Sequence, residues 1–295
     1  MKLKIYVVKK QQIIWGLIIL AAIILAAIVL IFMKTKQTIN TFNQPNTYYT
    51  DLNNNGKTDC ILVTTNEKTG EYNVSVRLDE KKTLGLEPDT TIKTLGFFNK
   101  NWPMNINFVD IDKDKNLEII LQASDSKGPI LHVYKLKDQQ IAKLLSGRYS
   151  IFGLINTKDF EPVLVIGNKT KDDIRFNYLT FNSTGPIPYI MPTSMNLGKN
   201  SINSLLGYIE TQEVEAANIN QKHLDIISKG KFLDGTISEI RYDKYDVPTQ
   251  CTYLIRTLEE TPIGNENSIY KVTLGLTKYD SRNPQYKILS IIKIK

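Results

Sequence analysis

The sequence has few cysteines and little net charge outside its N-terminal segment. Two cysteines, Cys60 and Cys251, are too few for a disulfide-stapled mini-domain and exclude a metal module built from CxxC pairs. Six of the 37 basic residues, and no acidic residue, lie in the first 36 positions, so the remainder carries 31 basic against 30 acidic residues. The formal net charge of +7 therefore belongs to the N-terminus. A nucleic-acid-binding function loses its main support, because such proteins present a basic surface.

The sequence also lacks the common catalytic signatures. It contains no G-x-S-x-G, Walker, H-E-x-x-H or Rossmann motif. Residues 124–127 match S-x-x-K and residues 68–70 match K-T-G, but their order is reversed and both fall in apparent hairpin turns, so we interpret the match as a coincidence. His132 and His223 lie far apart in ordinary strand and helix patterns and are interpreted as structural. We therefore predict that the protein is not an enzyme.

The one long hydrophobic run predicts a membrane anchor. Residues 13–32 are uncharged and free of proline, and about 20 helical residues span a bilayer core of ~30 Å. Four lysines precede the run, so the positive-inside rule predicts a cytoplasmic tail over residues 1–12, a linker over 33–46, and a C-terminal bulk outside the cell membrane. A cleaved signal peptide is the rival interpretation, but the run is long and ends without a small-residue cleavage site. A buried core helix is the other alternative.

Two short acidic segments share one pattern. DLNNNGKTD at Asp51–Asp59 and DIDKDKNLE at Asp110–Glu118 start 59 residues apart, and each lies between two apolar stretches that read as strands. We call them the first loop and the second loop. Both carry oxygen-bearing side chains at positions 1, 3, 5 and 9: Asp51, Asn53, Asn55 and Asp59 in the first loop, and Asp110, Asp112, Asp114 and Glu118 in the second.

This spacing suits a hard cation. Alternate side chains of a tight loop converge, and with a backbone carbonyl at position 7 they offer the six or so oxygens that Ca²⁺ prefers. Neither loop is an EF-hand, because position 12 is Leu62 or Leu121 where that motif needs glutamate. We predict structural calcium in both loops, with the weak affinity of extracellular sites, ~10⁻⁴–10⁻³ M. The alternative is a pair of solvated hairpin turns, since Asp and Asn also form turns without metal.

A strand, a D-x-[DN]-x-[DN]-G-x-x-D loop and a second apolar strand resemble the FG-GAP/VCBS repeat of integrin-like β-propellers. The likeness covers Tyr48 to about Phe181, with a degenerate third copy at residues 151–166 that lacks the acidic residues. It departs from the pattern at Lys115, which replaces the loop glycine. The resemblance implies a partial or irregular propeller-like domain over residues 47–195. Because closed propellers need at least four blades, three copies leave open whether one blade is unrecognised or the propeller is incomplete.

The C-terminal hundred residues predict a small α+β domain at 196–295. Prolines and glycines around residues 185–198 mark the boundary, Ser201 is a candidate helix cap, and four strand patterns follow at residues 236–245, 251–258, 269–279 and 286–294. This order is similar to NTF2-like (cystatin-like) domains. The predicted fold class is therefore mainly β, with one transmembrane helix, a propeller-like repeat domain and a small α+β domain.

These features predict a membrane-anchored extracytoplasmic binding or assembly module, with adhesion as one candidate role, whose partner is an envelope protein or polysaccharide. Two other functions stay open. One is an envelope hydrolase that uses the loop carboxylates as an acid/base pair, and the other is a structural subunit of a secretion or sporulation complex. The sequence leaves open the ligand, the oligomeric state and the pairing of the two cysteines.

Overall fold

The computed structural model describes residues 46–79, 81–156, 161–170, 173–213, 219, 221–262, 264–280 and 282–294. They belong to one compact unit, residues 40–295. The predicted anchor at 13–32, its tail and most of the linker lie outside the described residues. In the part that is described, no helix has the length and apolar character needed to cross a bilayer.

The predicted β class is confirmed, because the described residues form sixteen strands and few helical segments. The longer helix, α1, covers Lys199–Thr211, and a short helix, α2, covers Gln221–Leu224, after a 3₁₀ turn at Thr193–Met195. The strands are β1 Thr47–Thr50, β2 Asp59–Thr65, β3 Tyr72–Leu78, β4 Lys82–Gly85, β5 Asn105–Val109, β6 Glu118–Asp125, β7 Gly128–Lys137, β8 Gln140–Gly147, β9 Ile151–Ile155, β10 Val163–Lys169, β11 Ile174–Asn182, β12 Gly185–Pro188, β13 Gly230–Tyr242, β14 Pro248–Thr261, β15 Gly264–Lys278 and β16 Gln285–Lys293.

Within the described residues, the strands form three sheets. Strands β1–β4 form one four-stranded antiparallel sheet in chain order, and β5–β8 form a second. Strands β9–β12 repeat the same order, but β9 also pairs in parallel with β13, which starts a meander through β16. The result is an eight-stranded sheet. It crosses the predicted domain boundary between residues 195 and 196.

Buried side chains link the sheets in chain order. The first and second sheets share one apolar cluster, which includes Val76 and Leu121. Side chains from the second sheet, such as Val133, share another cluster with Leu164 of β10. The eight-stranded sheet packs in turn against α1, whose Leu205 lies in the largest cluster. Burial alternates along β3 of the first sheet, whereas β6 and β7 of the second sheet are buried on both faces, because this sheet contributes to the clusters on either side of it.

The C-terminal elements follow the predicted order, with different helix boundaries. The expected cap was wrong, since α1 begins at Lys199 after Gly198 and its first turn contains Ser201. The Ser201 hydroxyl instead donates to the Tyr286 carbonyl at 2.8 Å, which ties the helix to β16. Each of the four predicted strands overlaps an observed strand, β13 to β16.

A buried ion pair links two strands of the C-terminal meander, and Trp102, from the segment before the second sheet, packs against it. Arg256 on β14 donates to both carboxylate oxygens of Asp234 on β13, at 2.8 and 2.7 Å. The Trp102 ring lies 5.6 Å from the Arg256 guanidinium and shares a small cluster with Leu254. The two cysteines are free thiols, one partly buried on β2 and the other buried on β14.

Candidate cation-binding loops

The two acidic segments occupy equivalent places in consecutive sheets. The first loop joins β1 to β2, and the second loop joins β5 to β6. Their second residues, Leu52 and Ile111, are both buried and fix each loop on the core. The loops also touch, because the Leu117 N–H donates to the Leu52 carbonyl at 2.8 Å. The structure thus places the eight predicted ligand residues in two neighbouring loops of the same kind.

The backbones of the two loops have the same hydrogen-bond pattern. At position 1, Asp51 accepts from the N–H groups of positions 5 and 6 at 3.1 and 2.7 Å, and Asp110 does so at 3.0 and 3.0 Å. At position 9, Asp59 and Glu118 accept from the N–H of position 2, at 3.0 and 2.9 Å. The similarity read from the sequence is therefore present as a shared loop geometry.

The backbone angles repeat as well. Position 4 has a positive φ in both loops, 51° at Asn54 and 59° at Lys113. So has position 6, with 82° at Gly56 and 75° at Lys115. Lys115 thus adopts, with a side chain, the left-handed conformation that glycine adopts without strain. The departure from the glycine pattern changes the energy of the second loop and leaves its shape intact.

Position 3 directs a buried oxygen inward in both loops. Within the described residues, Asn53 Oδ1 and Asp112 Oδ1 are buried and accept no hydrogen bond. A buried acceptor without a donor costs about 1–3 kcal/mol, so its position calls for a partner. Positions 1 and 9 of each loop have carboxylates that accept backbone N–H groups, and an oxygen that accepts one such bond keeps a lone pair for a further partner. A cation inside the loop would satisfy these oxygens.

The second loop has the denser cluster of acids. Asp110, Asp112 and Glu118 each offer an oxygen within 4.8 Å of the others, a spacing compatible with a shared metal ion. Glu118 is fully buried, and its Oε1 accepts no hydrogen bond from the described residues. The fourth predicted ligand, Asp114, is instead directed at a lysine, Lys135 of β7. Three of the four predicted ligands thus converge.

Lys135 is the residue that the sequence prediction missed. Its amine contacts Asp112, lies 2.6 Å from Asp114 Oδ2, and lies 3.6 Å from Glu118 Oε1. The lysine side chain is only 4% exposed. The available signal was a lysine in a mainly apolar stretch, residues 130–136, which forms the buried part of β7.

The pKa values of the ionisable groups around the second loop shift in opposite directions. Burial raises the pKa of Glu118 to about 7, and the nearby carboxylates Asp112 and Asp114 raise it further, against the N–H of Ile111 and the amine of Lys135. Asp114 is itself penalised by burial, but hydrogen bonds from Lys135 and Asn116 leave its pKa below the usual value. The lysine has a raised pKa, because its contacts with the carboxylates outweigh its burial. The amine is therefore charged at neutral pH.

A raised carboxyl pKa is also a property of a general acid, as the hydrolase interpretation requires. Glu118 is fully buried, however, and the Asp112 side chain is only 2% exposed. A polymeric substrate has no access to either group. The arrangement suits the binding of a small ion better than acid–base catalysis on a polysaccharide.

The first loop carries fewer charges. Asp59 uses both oxygens as backbone acceptors, from Leu52 at 3.0 Å and from Asp79 at 3.2 Å. The side chain of Asn55 donates to the Asp79 carboxylate at 3.2 Å, which adds a third acid beside this loop. Lys57 lies 3.8 Å from that carboxylate in an exposed pair, so it neutralises little. Sequence reasoning did not include Asp79, which lies outside the nine-residue pattern.

Another polar region is a cavity of about 400 Å³ beside α1. Its lining includes Lys169 and Glu210, which pair at 2.5 Å, and Asp173, which pairs with Lys199 at 3.0 Å. These charges compensate each other. The two acidic loops are therefore the stronger candidate site.

Comparisons with models of known protein families and with curated proteins gave no match. The functional argument therefore rests on the geometry of the loops.

Proposed function

We propose that the protein is a membrane-anchored extracytoplasmic binding or assembly module, in which consecutive four-stranded sheets are arranged in a propeller-like way and their loops are stabilised by calcium. The observation that carries the proposal is the repeated loop with an inward, unpartnered oxygen at position 3 in each copy, Asn53 and Asp112, among the residues that are described. Oxygen donors at this spacing suit Ca²⁺, whose coordination sphere accepts carboxylate, amide and carbonyl oxygens.

The order of the sheets supports the propeller-like part of the proposal. Three meanders of four antiparallel strands, starting at β1, β5 and β9, follow each other and share apolar clusters between successive sheets. On the first sheet, the side chains that point away from its cluster include Thr64, Asn73 and Arg77, all exposed. Together with the exposed Leu62, these side chains form a solvent-exposed and mainly polar outer face, which is typical of a terminal unit in a stack of repeats. The series then ends in the C-terminal meander, and β9 pairs with β13 instead of closing a ring.

The membrane and envelope part rests on the hydrophobic run at residues 13–32 and its flanking lysines. In this arrangement the loops face an environment where calcium is commonly millimolar, so weak sites of ~10⁻⁴–10⁻³ M are useful there. Calcium stabilises the sheets, and partner binding takes place on surface loops.

Thermal unfolding of the full chain in a mild detergent tests the proposal, with EDTA in one sample and millimolar Ca²⁺ in the other. At about 10 mM Ca²⁺, which is roughly 10 to 100 times a Kd of ~10⁻³–10⁻⁴ M, one site adds about 1.4–2.7 kcal/mol. For a protein of this size, that amount raises Tm by about 3–11 °C.

Asn53→Ala is the informative variant, because it removes an oxygen that has no partner in the ion-free protein. It should match the parent in EDTA and lose much of the calcium response. Asn73→Ala, on an exposed position of β3, serves as the control and should keep the full response. A parent protein with the same Tm in EDTA and in Ca²⁺ would refute the calcium part of the proposal.

A further inference from the structure

The strongest unexplained feature of the site is an amine at its centre. Lys135 Nζ contacts Asp112, lies 2.6 Å from Asp114 Oδ2 and lies 3.6 Å from Glu118 Oε1. These three carboxylates occupy positions 3, 5 and 9 of the second loop, the positions whose oxygens would ligate a cation. The amine is thus directed at the place where a cation would bind.

Two buried oxygens point to the same place. Asp112 Oδ1 and Glu118 Oε1 accept no hydrogen bond from any described residue, and their side chains are 2% and 0% exposed. Such atoms are costly unless a positive charge lies near them. Lys135 supplies one from a position that is itself almost fully buried.

Beside the first loop, the position equivalent to Lys135 carries no charge. Lys135 follows Tyr134, the pairing partner of Ile119, which is the residue directly after Glu118. In the first sheet, Arg77 pairs with Cys60, the residue directly after Asp59, and Leu78 follows Arg77. The corresponding side chain is therefore Leu78, which is buried and apolar. The two loops share a backbone conformation, but only the second loop has a positively charged side chain, Lys135, at this position.

We infer that Lys135 is a built-in counter-ion that occupies the cation position of the second loop, holds this loop closed without metal, and competes with calcium for it. The inference rests on the proposed function, since it assumes that loops of this geometry accept a cation. It reverses the expectation from the count of carboxylates and restricts the proposed calcium stabilisation to the first loop, because the more acidic second loop becomes the metal-independent one. The calcium response of the native protein then comes from the first loop.

The charge count supports this assignment. The second loop has four carboxylates and the adjacent lysine, whereas the first loop has Asp51 and Asp59 with Asp79 beside it. Without a cation, several carboxylates within a few ångströms repel each other strongly in a buried site. An amine anchored on the next strand removes that repulsion at any calcium concentration. It also raises the cost of bringing in a second cation.

The test uses the full chain in detergent with Lys135→Met, which keeps the length of the side chain and removes its charge. Both this variant and the parent also carry Asn53→Ala, so that the first loop contributes no calcium-dependent change in Tm. We expect Lys135→Met to lower Tm by several degrees in EDTA and millimolar Ca²⁺ to restore it. Its apparent calcium affinity should exceed that of the parent by at least about tenfold, because a competing positive charge is gone.

Matched controls separate this effect from the general loss of an ion pair. Lys143→Met removes a lysine from the adjacent strand, where it lies 3.3 Å from Asp89 in a partly exposed pair, and should be insensitive to calcium. Lys135→Arg keeps the charge and should also be insensitive. If Lys135→Met does not fold in EDTA, Asp112→Asn/Lys135→Met lowers the repulsion and should fold without metal.

Two results would overturn the inference. Either Lys135→Met is as stable as the parent in EDTA, or calcium does not restore its lost stability. The proposed function fails separately, when the native protein shows no calcium response that depends on Asn53. A calcium response in Lys135→Met alone would support the built-in counter-ion while contradicting calcium in the first loop.

Discussion

Loss of the Arg256 guanidinium should destabilise the protein more than most single substitutions. The guanidinium makes two hydrogen bonds, of 2.8 and 2.7 Å, to Asp234, and the two side chains are 8% and 0% exposed. Arg256→Met would leave the carboxylate buried without a positive charge beside it, with the hydrogen bond from Trp102 remaining, and the loss of such a charged partner costs about 3–5 kcal/mol. At about 2–4 °C per kcal/mol for a protein of this size, Tm should fall by roughly 6–20 °C.

A double-mutant cycle makes this prediction sharper. Burial raises the pKa of Asp234, and the guanidinium of Arg256 opposes that rise. Without the arginine, the carboxyl group takes up a proton to avoid a buried charge. Asp234→Leu/Arg256→Met removes both charges and should be closer to the parent than either single variant, since no buried charge is left unpaired; the hydrogen bond between Trp102 and Asp234 is lost as well.

The assay is urea denaturation of the full chain in a mild detergent, followed by tryptophan fluorescence. Trp102 is a local reporter because its ring lies 5.6 Å from the Arg256 guanidinium. A loss below about 1 kcal/mol in Arg256→Met would refute the reasoning. So would a double variant whose loss equals the sum of the two single losses.

Two smaller predictions concern the loop backbone and pH. Gly56→Ala should destabilise the protein by about 1 kcal/mol, because its φ of 82° is left-handed. Lys115→Gly, at a φ of 75°, should stabilise it by a similar amount. Urea denaturation midpoints measure both changes, and two changes of the same sign would contradict the shared loop geometry. Burial lowers the pKa of His132 below 6.5, so the unfolded state binds more protons just below that pH and the contribution of His132 to stability falls as pH drops through 6.5. Glu118, with a pKa of about 7, titrates in the same window with the opposite sign. The readout is therefore the difference in stability between the parent and His132→Gln, which should decrease from pH 8 to pH 5; a difference that does not change with pH would contradict the prediction.

Local patterns predicted much of the fold. The strand patterns located the four C-terminal strands to within six residues at each end, because these segments are rich in the β-branched and aromatic residues that favour strands. The parallel pairing of β9 with β13 was not predictable in this way, since partners that are distant in sequence leave no local signal. The helix start was missed because Ser201 resembles a cap but donates to β16.

The candidate site was predicted in part, for a similar reason. The spacing of acids located both loops, because their ligand positions are consecutive in the chain. Lys135 comes from the neighbouring strand, 17 residues after Glu118, and enters the site only through strand pairing. A charged residue in a buried strand is a signal that some partner exists, but the sequence does not name that partner.

The most direct test of the account is a crystal structure of the full chain grown with millimolar Ca²⁺, with the anomalous signal measured at both loops. The account predicts an ion in the first loop, about 2.3–2.6 Å from oxygens of Asp51 and Asn53. It predicts the Lys135 amine, and no ion, among the carboxylates of the second loop. An ion in the second loop with the lysine displaced would contradict the built-in counter-ion, and two loops without an ion would contradict structural calcium.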